Sequence, residues 1–168
     1  MRVLLTFLVT IALVMFSCKD SNHGLVKNGE GVSISIKRFD QQLFQMDTDT
    51  LPSGISWLYT EYDDFLDVFS YHIVGLGSPS GRDYQAFLLM FLNDRLNREV
   101  YLETQKVFPD LKDLERELSR AFSIYKSGFP EKEIPEVVAY VSRFNNSCFT
   151  VGNYIGVGLD RFLGTNCE

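Results

Sequence analysis

Seven apolar residues follow one another from Ala86 to Leu92, inside "YQAFLLMFLNDRL". A helix carrying that run has no polar face over nearly two turns, so it is expected to be buried almost all round. A chain containing it must supply neighbours for every side of that helix, which demands a layered domain. The surrounding sequence offers them in helical form. Pro52 opens a segment through Trp57 and Tyr59, and "EYDDFLDVFSYHIVG" continues it, with Tyr62, Phe65, Leu66, Phe69 and Ile73 on one face and Gly75 as a stop. "GLGSPSG" reads as a loop, after which Ser80 and Asp83 suit a capping-box start for the apolar helix. A last helix is predicted over 110–127, with Leu111, Leu114, Leu118, Phe122 and Tyr125 as its inner stripe and Gly128 and Pro130 closing it.

Both flanks of this helical block have a different texture. Val32, Ile34 and Ile36 alternate with serines, the period-2 pattern of a half-buried strand, and Asp40 is placed to cap a short helix carrying Leu43, Phe44 and Met46. Downstream, "IPEVVAYVSRFNNS" is rich in β-branched and aromatic residues and predicts a strand over 137–144. "VGNYIGVGLDRFLG" predicts a second strand, pairing with the first as a hairpin, then a turn into a helix near Asp160. Gly152, Gly156 and Gly158 there imply close backbone approach or a bulge. The expected class is α+β: a mainly helical block flanked by an N-terminal strand and a C-terminal β-hairpin. No internal repeat is visible.

The N-terminus obeys other rules. Arg2 precedes a run from Val3 to Phe16 that is apolar apart from Thr6 and Thr10. Fourteen residues fall short of the roughly 20 that a membrane-spanning helix needs, but suit the apolar region of an export signal. Ser17 and Cys18 then make the junction resemble a bacterial lipoprotein signal, cut before a cysteine that carries lipid. Phe16 is larger than the residue usual at its place. An ordinary cleaved signal with a bystander cysteine, or an uncleaved anchor, are the alternatives. The organisation expected is a signal over 1–17, a flexible tether over 18–31 ("KDSNHGLVKNGEG", with His23 as a solvated linker residue) and a single α+β domain over 32–168. Export would put Cys148 and Cys167 in an oxidising compartment, as a bridge or as two free thiols. The net charge of −6 argues against nucleic acid as a partner, whose phosphates call for Lys and Arg.

Catalytic patterns are scarce. The two histidines, His23 and His72, form no H-E-x-x-H pair, and His72 reads as a structural residue of an amphipathic helix. "GSPSG" at 77–81 has Pro79 where a nucleophile elbow requires serine. Gly75, Gly77 and Gly81 miss the dinucleotide spacing, with Ser80 in the third glycine's place. Asp63, Asp64 and Asp67 could ligate a hard cation, but are read as helix-first-turn carboxylates stabilised by the dipole. "NNS" at 145–147 matches a glycosylation sequon that carries little weight behind a bacterial signal. No catalytic constellation, metal site or cofactor site is expected.

Three stretches carry a family resemblance: "SIKRFDQQLFQMD" after the tether, "IPEVVAYVSRFNNS", and "NYIGVGLDRFLG". In this order, behind a lipoprotein cysteine, they resemble the GldB family of gliding motility lipoproteins of Bacteroidota. The last is the most specific, because its glycine-rich strand and Leu-Asp-Arg-Phe-Leu-Gly turn come as one unit. The resemblance implies a cell-envelope lipoprotein, lipidated at Cys18 and membrane-held, periplasm-facing or at the cell surface. It would act as a non-catalytic partner of other gliding or secretion machinery proteins. It also implies a fold similar to zinc metallopeptidases without their full metal site, and no catalytic residues. Members usually continue into a helical second half, so this chain resembles an N-terminal half and residues 31–168 are expected to fold poorly alone. The alternative function is an envelope zinc peptidase with its active site in a missing C-terminal half, and a third is a small-ligand-binding lipoprotein.

Overall fold

A computed structural model describes residues 31–164. The signal, Cys18, nearly all of the tether with His23, and Cys167 lie outside them. Strand β1 (Ile36–Arg38) leads into helix α1 (Phe39–Phe44), a 3-10 turn (Thr48–Thr50), and helix α2 (Leu51–Val68), which runs on as a π-helical turn (Phe69–Ile73). Helices α3 (Tyr84–Asn93), α4 (Arg95–Val107) and α5 (Lys112–Gly128) follow, then strands β2 (Glu136–Tyr140), β3 (Cys148–Val151) and β4 (Tyr154–Gly158), and a closing 3-10 turn (Leu159–Phe162). The class is α+β, as expected.

The sheet order is β1-β2-β4-β3, and the expected C-terminal β-hairpin is present, but its first strand is not the one expected. The strand over 137–144 does not pair antiparallel with the one at Tyr154: β2 runs parallel to β4, Glu136 opposite Tyr154. β2 stops at Tyr140, and Arg143 and Phe144 take positive φ values of 58° and 63°, turning the chain out of the sheet. It returns as β3, which forms the actual hairpin with β4, Val151 opposite Tyr154 across a turn at Gly152, whose φ is +52°. The close approach expected of the other two glycines is real. A Cβ on Gly156 would lie 2.7 Å from the Phe149 ring, and one on Gly158 would collide with the Asn146 carbonyl oxygen.

Alternation along β2 sends Val138 and Tyr140 to one face and Val137 and Ala139 to the other. The first face carries the main core, with α1 to α4 over it. Phe39 sits at its centre, edge-on to Tyr62, Phe65 and Phe69 with ring centroids 4.8–5.2 Å apart. Such pairs add about 0.5–1.5 kcal/mol each beyond area burial. The second face holds a smaller cluster of Ile36, Val137, Ala139, Leu111 and Leu159, against which Leu114, Leu118 and Phe122 of α5 pack. Tyr125, expected on that stripe, is exposed.

The apolar run at Ala86–Leu92 is not buried all round. Only Leu88 and Leu92 are fully inside, while Phe87 is 48% and Met90 68% exposed. One side of α3 lies on the core and the other faces out. The helix also stops at Asn93, because Asp94 adopts an extended ψ of 129° and accepts from the Asn97 backbone N–H, capping α4. No side-chain cap starts α3, so Ser80 and Asp83 form no capping box. Asp40 does not cap either. It lies in the first turn of α1, wholly buried, where both its oxygens accept from Arg38 (2.9 and 2.7 Å) and Oδ2 also accepts from Gln105 (2.8 Å).

The outer edge of β1 is closed by a helix instead of a strand. The backbone N–H groups of Val32, Ile34 and Ile36 donate to Ser123 Oγ (3.0 Å), Ser119 Oγ (2.9 Å) and Glu115 Oε1 (2.9 Å) of α5. Alternate residues of an extended chain thus meet one stripe of a helix at four-residue spacing. Each serine hydroxyl donates in turn to the carbonyl four residues back in its own helix. The predicted strand over Val32–Ile36 is therefore extended and alternating in burial, but only from Ile36 does it pair with β2.

Candidate functional site

The sequence-singled residues do not assemble. His72 is exposed on the π-helical turn, its ring edge-on to Tyr71. Asp63, Asp64 and Asp67 lie far along α2, which begins at Leu51, so the first-turn dipole reading is wrong; Asp63 instead marks a kink, with φ 38°. Among the described residues, no group of three or more His, Cys, Asp or Glu side chains comes together to hold a metal. Cys148 is exposed at the start of β3. With Cys167 outside the described residues, the Cys148–Cys167 alternatives stay as they were.

Two surfaces carry features that folding alone does not ask for. The first is the turn after β2. Left-handed backbone costs about 1–2 kcal/mol per residue outside glycine, and here Arg143 and Phe144 both adopt it. The turn is held from several sides. Asp160 Oδ2 accepts from the backbone N–H groups of Ser142 and Phe144, Arg161 donates to the Phe144 carbonyl, and Asn145 donates to the Ile73 carbonyl. Asp160 is 1% exposed and its Oδ1 has no partner. Burial pushes its pKa up, against the opposing pull of the two N–H donors. The held turn aims Arg143 and Phe144 outward between two cavities. One, of about 280 Å³, is walled by Phe87, Met90 and Arg143; the other, of about 370 Å³, by Leu96, Leu102 and Phe144.

The second surface is a groove of about 500 Å³ on the lesser face of the sheet. Leu111 and Leu114 form one wall and Val157, Leu159 and Phe162 the other, with Asp110 and Asp113 among its lining. It exists because α5 packs mainly over the β1–β2 side of this face. In register terms, Cys148 and Thr150 lie opposite Val157 and Ile155, and both are exposed. Phe162 stands 56% exposed at the mouth. Sequence reasoning missed Asp160 as a turn holder and Phe162 as a groove residue. The signal available was "LDRFLG" itself, which places an acid and a large aromatic two residues apart directly after a glycine strand.

No described helix is long and apolar enough to cross a membrane. A family model described as gliding motility protein GldB matches residues 19–168. No curated protein and no solved structure matches the chain, and the likeness to zinc metallopeptidases implied by the resemblance is not shown.

Proposed function

Because the chain belongs to the gliding motility protein GldB family, we propose that it serves the gliding apparatus as a lipid-anchored, non-catalytic component. The observation that carries this reading is the family match, which takes in all but the first eighteen residues. The anchor rests on the apolar run Val3–Phe16 followed by Ser17–Cys18. Signal cleavage would leave Cys18 as the first residue, its sulfur bearing a diacylglycerol. Two or more acyl chains hold a protein to a membrane stably where a single chain does so only marginally. The tether over 18–31 would then let the domain stand off the lipid surface of the cell envelope and reach other proteins of the machinery.

The non-catalytic role has its support in what the site offers. The surfaces described above are walls of apolar side chains with a pinned turn between them, a chemistry suited to holding another protein. The test is complementation in the encoding bacterium. Deleting the gene should abolish surface spreading, and the intact chain should restore it. Cys18→Ser should leave an uncleaved precursor or release the protein from membranes, and should fail to restore movement. His72→Ala should restore it fully. Mass spectrometry that finds Cys18 unmodified in the mature protein refutes the anchor, and loss of movement in His72→Ala with normal protein levels refutes the non-catalytic role.

A further inference from the structure

We infer that the C-terminal end of α5, through Ile124, Tyr125 and Phe129, lies against the bilayer that carries the protein's own lipid anchor. This rests on the Cys18 anchor proposed above and adds a second, apolar contact with the same membrane. The surface is apart from the two already described.

The first argument is where the tether leaves the domain. Val32, Ile34 and Ile36 bond in turn to Ser123, Ser119 and Glu115, so the extended chain and α5 run antiparallel. Followed back toward Gly31, the chain therefore heads for the end of α5 that closes at Gly128. The tether over 18–31 puts fourteen residues between that end and the lipid. A polar, glycine-containing chain of this length spans about 20 Å, against the roughly 35 Å breadth expected of a domain of this size. An anchored domain thus turns this corner toward the membrane more than any other. The groove by Phe162 is at the other end of the helix. Leu114, which lines it, lies fifteen residues before Phe129, about 22 Å along the axis. Gly164, where the described chain ends, is two residues beyond Phe162 at that far end.

The second argument is the chemistry of that corner. Ile124 is 57% and Phe129 51% exposed, and Tyr125 is exposed beside them. The Tyr125 and Phe129 rings are 5.2 Å apart, and Phe122 continues the row inward to the smaller core cluster. The turn that carries Phe129 is held. Its N–H donates to the Tyr125 carbonyl (2.9 Å), its carbonyl accepts from the Lys132 N–H (3.1 Å), and Lys126 Nζ donates to the Lys132 carbonyl (2.6 Å). Little ordering is left for a bilayer to impose. Aliphatic and aromatic side chains, one with a phenolic tip, suit the boundary between headgroups and acyl chains, about 5–10 Å deep. Charges around this cap come in both signs, Lys126 and Lys132 against Glu131 and Glu133, so the contact is apolar in origin and indifferent to anionic lipid. Three side chains are too few to hold a free domain on lipid. The anchor makes their contact intramolecular, at an effective concentration of millimolar order.

The test couples the full mature chain, with Cys148→Ser and Cys167→Ser, through Cys18 to a maleimide phospholipid in phosphatidylcholine vesicles. The link is made chemically, so a failure of the apolar contact and a failure of natural lipidation, which mass spectrometry reports, stay distinguishable. Tryptophan reporters are introduced in a Trp57→Phe background, and their quenching by phosphatidylcholine with brominated acyl chains is measured. Phe129→Trp should be quenched at least about twofold more than Tyr71→Trp, an exposed position near the other end of β2, where Asn145 meets Ile73. The excess should persist at high salt and with phosphatidylglycerol in the vesicles. Tyr125→Trp should show the same excess, and should lose it when Ile124→Ser and Phe129→Ser are added. Equal quenching of Phe129→Trp and Tyr71→Trp overturns the inference, as does an excess that high salt removes. So does a blue shift of Phe129→Trp without quenching that fades as protein is diluted on the vesicles, which would make the occupant a second copy.

Discussion

Replacing Ser119 by alanine tests whether side chains of a helix close the edge of this sheet. The hydroxyl accepts from the Ile34 backbone N–H at 2.9 Å in a half-buried setting and donates to the Glu115 carbonyl. Removing it strands one strand donor, and an unsatisfied buried donor costs about 1–3 kcal/mol. Ile34 is only half-buried, so water recovers part of that, and the low end applies. Alanine is also the better helix former, by about 0.5 kcal/mol. The net expectation for Ser119→Ala is a loss of about 0.5 kcal/mol. Glu115→Ala should cost more, about 1.5–3 kcal/mol, because the acceptor is charged and its donor sits on Ile36, just 6% exposed. Ser127→Ala is the matched control: the same helix and residue type, but its hydroxyl bonds only the Ile124 carbonyl and meets no strand. Urea midpoints give the global effect. Amide exchange gives the local one, where the Ile34 N–H in Ser119→Ala should lose protection about fivefold. Unchanged Ile34 protection in Ser119→Ala, or an equal loss in Ser127→Ala, would refute the edge closure.

Two further substitutions probe buried carboxylates. Asp40→Ala would leave the Arg38 guanidinium, itself mostly buried, without its carboxylate, and should destabilise by about 3–5 kcal/mol in urea unfolding, whereas Gln41→Ala at the edge of the same network should cost far less. For Asp160 the sign follows from a pKa raised by burial above its unfolded value. Its contribution to stability is fully present below the unfolded pKa and is lost as pH rises through the folded one. Asp160→Asn does not titrate, so wild type should gain on the variant as the pH falls from about 7 to about 4. Urea midpoints of both proteins across that range check this, and the opposite slope contradicts it.

The element types were legible from local pattern. Helical spacing placed α2 and α5 within a few residues of their ends, because a 3.6-residue period survives in any packing that buries one side. The glycines of "VGNYIGVG" announced backbone crowding, and the Phe149 ring and the Asn146 carbonyl supply it. What the pattern could not carry was pairing. Val137–Phe144 reads as one strand because Val141, Phe144 and their neighbours favour extended backbone. The chain nevertheless leaves the sheet there, as Asp160, eighteen residues away from Ser142, supplies the acceptor that holds the left-handed turn. That single detour turned an expected antiparallel hairpin into a parallel pair and brought in β3.

Burial of the apolar run at Ala86–Leu92 was likewise beyond local reading. Hydrophobicity states what a helix gains by being covered, but the number of neighbours is set by how many elements the sheet and the other helices bring within reach. Here they reach Leu88 and Leu92 and leave Met90 in solvent. The same logic governs the groove, since nothing in "LDRFLG" says that α5 will be drawn to the β1 edge by Ser119 and Ser123. The sequence by itself carried the helical spacing of α2 and α5, the strand texture of β2 and β4, and the acidic balance, because each is written in residues a few positions apart. Only the tertiary structure decided strand order and how far each apolar face is covered, because those depend on contacts between residues distant in the chain, from the eighteen positions between Ser142 and Asp160 to the eighty-five between Ile34 and Ser119.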